Sequence, residues 1–219
     1  MPDAVILDLD GVLVDSEQAW DRARREVVRE RGGAWRPGAT EAMMGMSAPE
    51  WSRYLHEQLG VDLPPEEIDG AVVARLERRY REDLPLVDGA REAVAALAAR
   101  WPLGLASSSN REIIDLVLEL AGLAGHFAAT VSSEEVGRGK PAPDVYLEAS
   151  RRLGVAPRRC VAVEDSSNGI RSAAAAGMAV VAVPNRAFPP AEDALALAAA
   201  TIGSLGELRP ALLEGLGAP

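Results

Sequence analysis

Ala4-Val5-Ile6-Leu7-Asp8-Leu9-Asp10-Gly11 is the stretch from which the rest of the chain can be read. Four consecutive apolar residues suit a short strand buried on both faces of a sheet. The run stops abruptly at two carboxylates and a glycine. Similar runs recur at Leu103-Gly104-Leu105-Ala106, Ala128 to Val131, Cys160-Val161-Ala162-Val163 and Ala179-Val180-Val181-Ala182-Val183. Between them lie helical patterns, at Gly89 to Arg100, Arg111 to Ala121, Pro143 to Leu153 and Gly169 to Ala176.

Strand alternating with helix predicts an α/β fold, a Rossmann-like parallel sheet with helices on both faces. One segment breaks the rhythm. From Ser16 to about Leu84 no strand pattern occurs. Glu17 to Arg31 reads as a charged amphipathic helix with Trp20, Ala23, Val27 and Val28 on its apolar side. Pro49 to Leu59 and Pro65 to Tyr80 read as further helices, punctuated by Gly32-Gly33, Pro37-Gly38 and Pro64-Pro65. The expected organisation is a core of residues 1–15 and 86–219 with an inserted all-helical cap, 16–85. The alanine-rich tail from Ala191 to Ala200 favours helix by composition.

The 219 residues are 48% hydrophobic and 26% charged, enough for a sizeable core without disulfides. A net charge of −10 repels nucleic-acid backbones and anionic membrane surfaces, so neither is expected as a partner. No apolar run reaches membrane-spanning length. Met1-Pro2-Asp3 lacks the cationic start of a secretion signal, and the single cysteine, Cys160, allows no internal disulfide. A cytoplasmic protein is expected, with Cys160 a buried small hydrophobe at the start of a strand.

In open parallel sheets, ligands bind beyond the carboxyl ends of the strands. The first run ends in Asp8 and Asp10, the second in Ser107-Ser108-Ser109-Asn110 and the fourth in Glu164-Asp165. Gly139-Lys140-Pro141-Ala142-Pro143-Asp144 lies between the last two. Taken alone, Asp8 and Asp10 read equally as a turn or as chemistry. Gathered on one rim, the four carboxylates cannot all stay ionised without a cation. A hard divalent ion with oxygen ligands, best Mg²⁺, meets that need. Lys140 adds the positive charge that a phosphate dianion needs beside a carboxylate: two unit charges ~4 Å apart repel by roughly 4 kcal/mol at an effective dielectric near 20. Hydroxyls and amides at Ser107, Ser108 and Asn110 can hold phosphate oxygens.

Asp8-Leu9-Asp10-Gly11-Val12-Leu13-Val14-Asp15-Ser16-Glu17 resembles the first motif of haloacid dehalogenase-like phosphatases. Ser107, Lys140 and Glu164-Asp165 match the other three motifs in order, and the resemblance covers essentially the whole chain. It implies that Asp8 attacks phosphorus, that Asp10 serves as acid and then base, and that Ser107 and Lys140 hold the phosphoryl group. It further implies that Asp165 ligates Mg²⁺ beside the Asp8 carboxylate and the Asp10 backbone carbonyl, with Glu164 a direct or an outer partner. The implied reaction is hydrolysis of a small phosphorylated metabolite such as a sugar phosphate, by a monomer or weak dimer.

β-Phosphoglucomutase shares these motifs, but Trp20 stands where its hinge histidine would fall and Ala48 where its cap arginine would. Haloacid dehalogenases lack the second aspartate, so Asp10 disfavours that chemistry. A non-catalytic binding protein would be signalled by a lost motif residue, and none is lost. Gly137-Arg138-Gly139-Lys140 is not a P-loop, since Glu134 and Pro141 stand at its defining positions. Asp8 to Ala19 is not an EF-hand, and His56 and His126 are too isolated for zinc. Gly45 and Ser47, in the Gly45-Met46-Ser47 turn, are candidates to face the substrate. The cap arginines read mostly as a solvated face, with one or two left to reach an anionic ligand. Asp15-Ser16-Glu17 reads as a helix cap plus hinge, and Asp144 as a helix cap or as a partner of Lys140.

Overall fold

Each apolar run becomes a strand because it has two faces to bury. In the computed structural model, which describes residues 1–44, 46–185 and 188–216, the strands are β1 (Ala4–Leu7), β2 (Leu103–Ser107), β3 (Phe127–Ser132), β4 (Cys160–Glu164), β5 (Ala179–Ala182) and β6 (Ala200–Thr201). They form one parallel sheet in the order β3-β2-β1-β4-β5-β6. Helices α5 (Ala90–Ala98), α6 (Arg111–Ala121), α7 (Asp144–Leu153) and α8 (Ser167–Ala175) make the crossovers.

Side chains alternate across the sheet. Val5, Leu7, Leu105 and Val163 pack with Val94, Ile113 and Val117 on one face. Ala4, Ile6, Ala106 and Ala162 pack with Val145, Ala149 and Ile170 on the other. Burying an aliphatic side chain fully contributes about 1.5–3 kcal/mol, so this double burial holds the register. The register pairs Leu7 with Leu105 on one side and with Val163 on the other, so Asp8, Ser107 and Glu164 reach one rim. Strand order reverses at β1, which opens the crevice there.

Between β1 and α5 the described residues form four helices: α1 (Glu17–Glu30), α2 (Ala39–Met43), α3 (Ala48–Glu57) and α4 (Pro65–Glu82). In α4, Ile68, Val72, Leu76 and Tyr80 recur every fourth residue and are all buried, one stripe down the helix. Trp20, Ala23, Val27 and Val28 of α1 are buried as their spacing predicts. Arg79 pairs with Glu26 at 2.6 Å, and Arg75 pairs with Glu30, joining α4 to α1. The chain leaves and returns through paired segments: Asp15 N–H donates to Pro85 O (2.8 Å) and Val87 N–H to Leu13 O (3.0 Å). No helix among the described residues is long and apolar enough to cross a membrane.

Two readings need correction, and one helix was not foreseen. The alanine-rich tail is helical only in the short α9 (Glu192–Leu195); Ala200–Thr201 joins the sheet instead. The open edge of β5 supplies the reason, since Ala199 N–H donates to Val180 O and Ile202 N–H to Ala182 O, and tertiary hydrogen bonding overrides alanine's helical preference. Ser16 flanks α1, but its side chain makes no capping bond. Helix α2 escaped the sequence reading because five residues show too little periodicity. A last helix, α10 (Pro210–Gly215), closes the described chain.

Candidate active site

Lys140 organises the rim. Its ammonium donates to Asp8 Oδ1 (2.8 Å), Glu164 Oε1 (2.6 Å) and Ala106 O (3.1 Å), which engages all three donors. It also lies 5.2 Å from the centre of the Tyr146 ring. Burial by itself would lower the pKa of Lys140, but Asp8 and Glu164 outweigh it and hold the ammonium charged well above its ordinary range. Asp144 does not reach Lys140; it begins α7 and pairs with Arg138 at 3.1 Å.

Glu164 is consumed by its neighbours. Oε1 accepts from Lys140 and from the Tyr146 hydroxyl (2.8 Å). Oε2 accepts from Asp165 N–H (3.1 Å), Ser166 N–H (3.3 Å) and Ser166 Oγ (3.2 Å). A carboxylate with both oxygens so occupied is an orienting group. It also rests on the α-carbon of Gly169, where any β-carbon would lie 1.9 Å from it. Gly11, at φ +78°, plays the same part for Asp165, whose Oδ2 lies 1.8 Å from where a β-carbon would stand.

Asp8, Glu164 and Asp165 present oxygens within 4.8 Å of one another, all buried. Burial pushes the carboxyls of Asp8 and Asp165 well above the ordinary range; Glu164 adds to both, and Lys140 opposes. Three buried carboxylates against one ammonium are short of positive charge, and the donors are all oxygen. That set fits a divalent metal.

Asp10 faces elsewhere. Its Oδ1 accepts from Trp20 Nε1 (3.0 Å), and its Oδ2 from Ser109 Oγ (2.6 Å) and Ser107 Oγ (3.3 Å). Its side chain therefore stands apart from the metal-competent cluster; the ligand expected of this residue is its backbone carbonyl. Ser107 Oγ in turn accepts from Ser109 N–H (3.0 Å), which tightens the turn after β2.

A cavity of about 50 Å³ lies above these groups. Asp8, Asp10, Ser108, Ser109, Lys140 and Asp165 line it from the sheet. Glu17, Trp20, Arg24, Met43 and Trp51 line it from the helical insertion. Burial, with the nearby Asp10 adding to it, raises the Glu17 carboxyl to about 7. Arg24 lies between two indoles, 4.8 Å from the Trp20 ring and 5.0 Å from that of Trp51.

Other expected residues sit differently. Asn110 is turned to the insertion: its Nδ2 donates to both Asp69 oxygens (3.1 Å each) and to Glu134 Oε1 (2.9 Å). It does not line the cavity, because the acidic pair outcompetes that position for its amide. Ser47 begins α3 with a capping box, its N–H and hydroxyl both donating to Glu50 Oε2, and it packs against Gly139. Gly45 lies outside the described residues.

Sequence reading missed Ser109, Tyr146 and Trp20 as a hydrogen-bond donor, and it left Glu17 in a cap-and-hinge segment and Arg24 among mostly solvated arginines without pairing the two. A signal for the last existed: Glu17, Trp20 and Arg24 share one face of α1 with apolar Ala23 and Val27, and charges on a buried stripe demand partners.

A family profile described as haloacid dehalogenase-like hydrolase matches residues 2–177, and the chain belongs to that family. Hexitol phosphatase B of Escherichia coli is 36% identical over 184 residues, 83% of each chain. Fructose-1-phosphate phosphatase YqaB of the same organism is 33% identical over 187 residues, 82% of this chain and 95% of its own. The crystal structure of CbbY from Rhodobacter sphaeroides in complex with phosphate superposes with a TM-score of 0.87 at 29% identity, covering 98% of this chain and 100% of that one.

Proposed function

We propose that the chain is a Mg²⁺-dependent phosphatase of sugar phosphates or closely related monoesters, working through an aspartyl-phosphate on Asp8. The observation that carries this is the division of labour between two carboxylates two residues apart: Lys140 clamps Asp8, while Trp20 and Ser109 hold Asp10 apart. Asp8 forms the bond to phosphorus as the ester oxygen leaves, and Asp10 gives that oxygen its proton. Asp10 then takes a proton from water, which attacks the same phosphorus and frees inorganic phosphate and Asp8. Ser107 and Ser108 hold phosphoryl oxygens through both steps, and the charge of Lys140, whose donors are taken by Asp8, Glu164 and Ala106, offsets the negative charge on those oxygens. Asp8 and Asp165 would hold the cation, with Glu164 positioning Lys140; bound Mg²⁺ supplies positive charge to the carboxylates and the phosphoryl oxygens.

Residues 16–85 act as a cap that shields the site from water, over a core of 1–15 and 86–219. The substrate class rests on the relatives named for hexitol and fructose phosphates. The test is inorganic phosphate release from a panel of sugar and polyol phosphates, with Mg²⁺ or EDTA, beside Asp8→Asn. Mg²⁺-dependent release absent in Asp8→Asn supports the reading. Substrate consumed without phosphate, with a phosphosugar isomer appearing, would replace it with a mutase.

A further inference from the structure

Arg24 is a buried cation with no carboxylate in ion-pair contact among the described residues, although the charges of Glu17 and Asp10 on the same cavity act on it. It is only 8% exposed, and its Nε has no hydrogen-bond partner among the described residues. No ion pair within 4.0 Å forms at its guanidinium among the described residues, whereas Arg25, Arg75 and Arg79 on the same insertion all have carboxylate partners. Burial lowers its pKa, but only to about 10, so it stays charged at neutrality.

The guanidinium is held in place by packing instead. The faces of Trp20 and Trp51 flank it, and the two rings meet edge to face at 5.9 Å. It lines the cavity from α1, while Lys140, the other lysine or arginine lining it, is saturated at the sheet rim. A guanidinium has five donors in a planar fork suited to carboxylate and phosphate, and leaving a buried donor such as Nε unmet is costly. A ligand that supplied an anion there would relieve that cost.

We infer that Arg24 anchors a second anionic group on the substrate, remote from the phosphoryl group that is transferred. The preferred substrates then carry another phosphate or a carboxylate besides the reacting ester. This rests on the phosphatase reading for the position of the reacting phosphate, but its test does not need turnover.

Three matched ligands decide it: a hexose monophosphate, the same compound with a second phosphate at its far carbon, and the same compound with a carboxylate there. Calorimetric titration into Asp8→Asn protein with Mg²⁺ should show at least one of the two ligands with a second anionic group binding about tenfold or more tighter than the monophosphate. That margin should shrink to about twofold in Asp8→Asn combined with Arg24→Met. Which ligand shows the margin identifies phosphate or carboxylate. Equal affinities in Asp8→Asn protein, a result that needs no Arg24 variant to fold, would overturn the inference. So would a margin that survives Arg24→Met. Phosphate release by the unmodified chain from the same three compounds reports separately on hydrolysis: a margin without release sinks the phosphatase reading and leaves the anchor standing.

Discussion

Trp20 Nε1 donates to Asp10 Oδ1 across 3.0 Å, so a residue of the helical insertion orients the second aspartate of the site. Under the proposed function, the first turn of α1 would thereby take part in the chemistry, through a neutral donor. Trp20→Phe keeps the aromatic packing on Trp51 but removes the donor. A hydrogen bond to a charged group contributes about 1.5–3 kcal/mol, so kcat should fall by roughly 10–100-fold, with KM changing far less. Steady-state phosphate release checks this, and an unchanged kcat would show that Ser109 and Ser107 suffice to hold Asp10.

The sheet was legible because its signal is local. Runs such as Ala4-Val5-Ile6-Leu7 and Cys160-Val161-Ala162-Val163 admit few other structures, and the residue that follows each run falls on the rim by geometry alone. The cluster of Asp8, Lys140, Glu164 and Asp165 followed from that placement. What stayed hidden depends on long-range partners. Tyr146 reads as a helical core residue, yet its hydroxyl supports Glu164 from 18 positions away. Asn110 reads as one more polar group at the phosphate turn, and only the position of α4 gives its amide to Asp69. The two-residue β6 carries too little sequence to announce itself, and the edge of β5 creates it.

Glycines of the chain should differ sharply in tolerance. At Gly169 an added β-carbon meets the Glu164 carboxylate at 1.9 Å, and that carboxylate has five donors that resist its movement. Gly169→Ala should destabilise by about 1–3 kcal/mol and abolish most activity by displacing Lys140's partner. Gly70, exposed inside α4, has nothing within 4 Å of its would-be β-carbon, so Gly70→Ala should stabilise by about 0.5–1 kcal/mol. Paired thermal melts and phosphate release separate the two outcomes.

Glu135 gives a pH dependence of known sign. Burial raises its pKa, but hydrogen bonds from Arg111, the Ser132 N–H and Arg152 outweigh it and hold the carboxyl at about 2. A folded-state pKa below the unfolded value contributes stability above the unfolded pKa, near 4.5, and loses it as pH falls toward 2. Allowing for solvent screening of these partly exposed groups, Glu135→Gln should cost about 1–2 kcal/mol at pH 7. The gap between variant and parent should close between about pH 5 and pH 2 in urea titrations. A gap that persists at the acid end would assign the loss to packing.

The carboxylate cluster should make stability depend on metal. A ligand that binds only the folded state raises its stability by about 4 kcal/mol at a thousand times its Kd. Millimolar MgCl₂ should therefore raise the Tm, EDTA should reverse the rise, and Asp165→Asn should abolish it. A melt indifferent to Mg²⁺ in the parent chain would remove that cation from the site.

Asn110 joins the turn that follows β2 to helix α4 of the insertion, with its Nδ2 shared between Asp69 and Glu134. Opening of the insertion would break the two bonds to Asp69 and leave only the one to Glu134, which belongs to the core. Asp69 thus favours the arrangement in which Trp20 reaches Asp10 and Arg24 covers the cavity. Asp69→Ala removes that preference without touching the reacting groups. A net hydrogen-bond contribution of about 0.5–1.5 kcal/mol predicts a two- to tenfold fall in kcat/KM, expressed mainly in KM because fewer molecules are competent to bind. Because Asp69 is only partly buried, the Tm should move by no more than a few degrees. Steady-state kinetics beside a thermal melt reads both quantities, and a large Tm loss with unchanged KM would make Asp69 a structural residue of α4 with no part in closure.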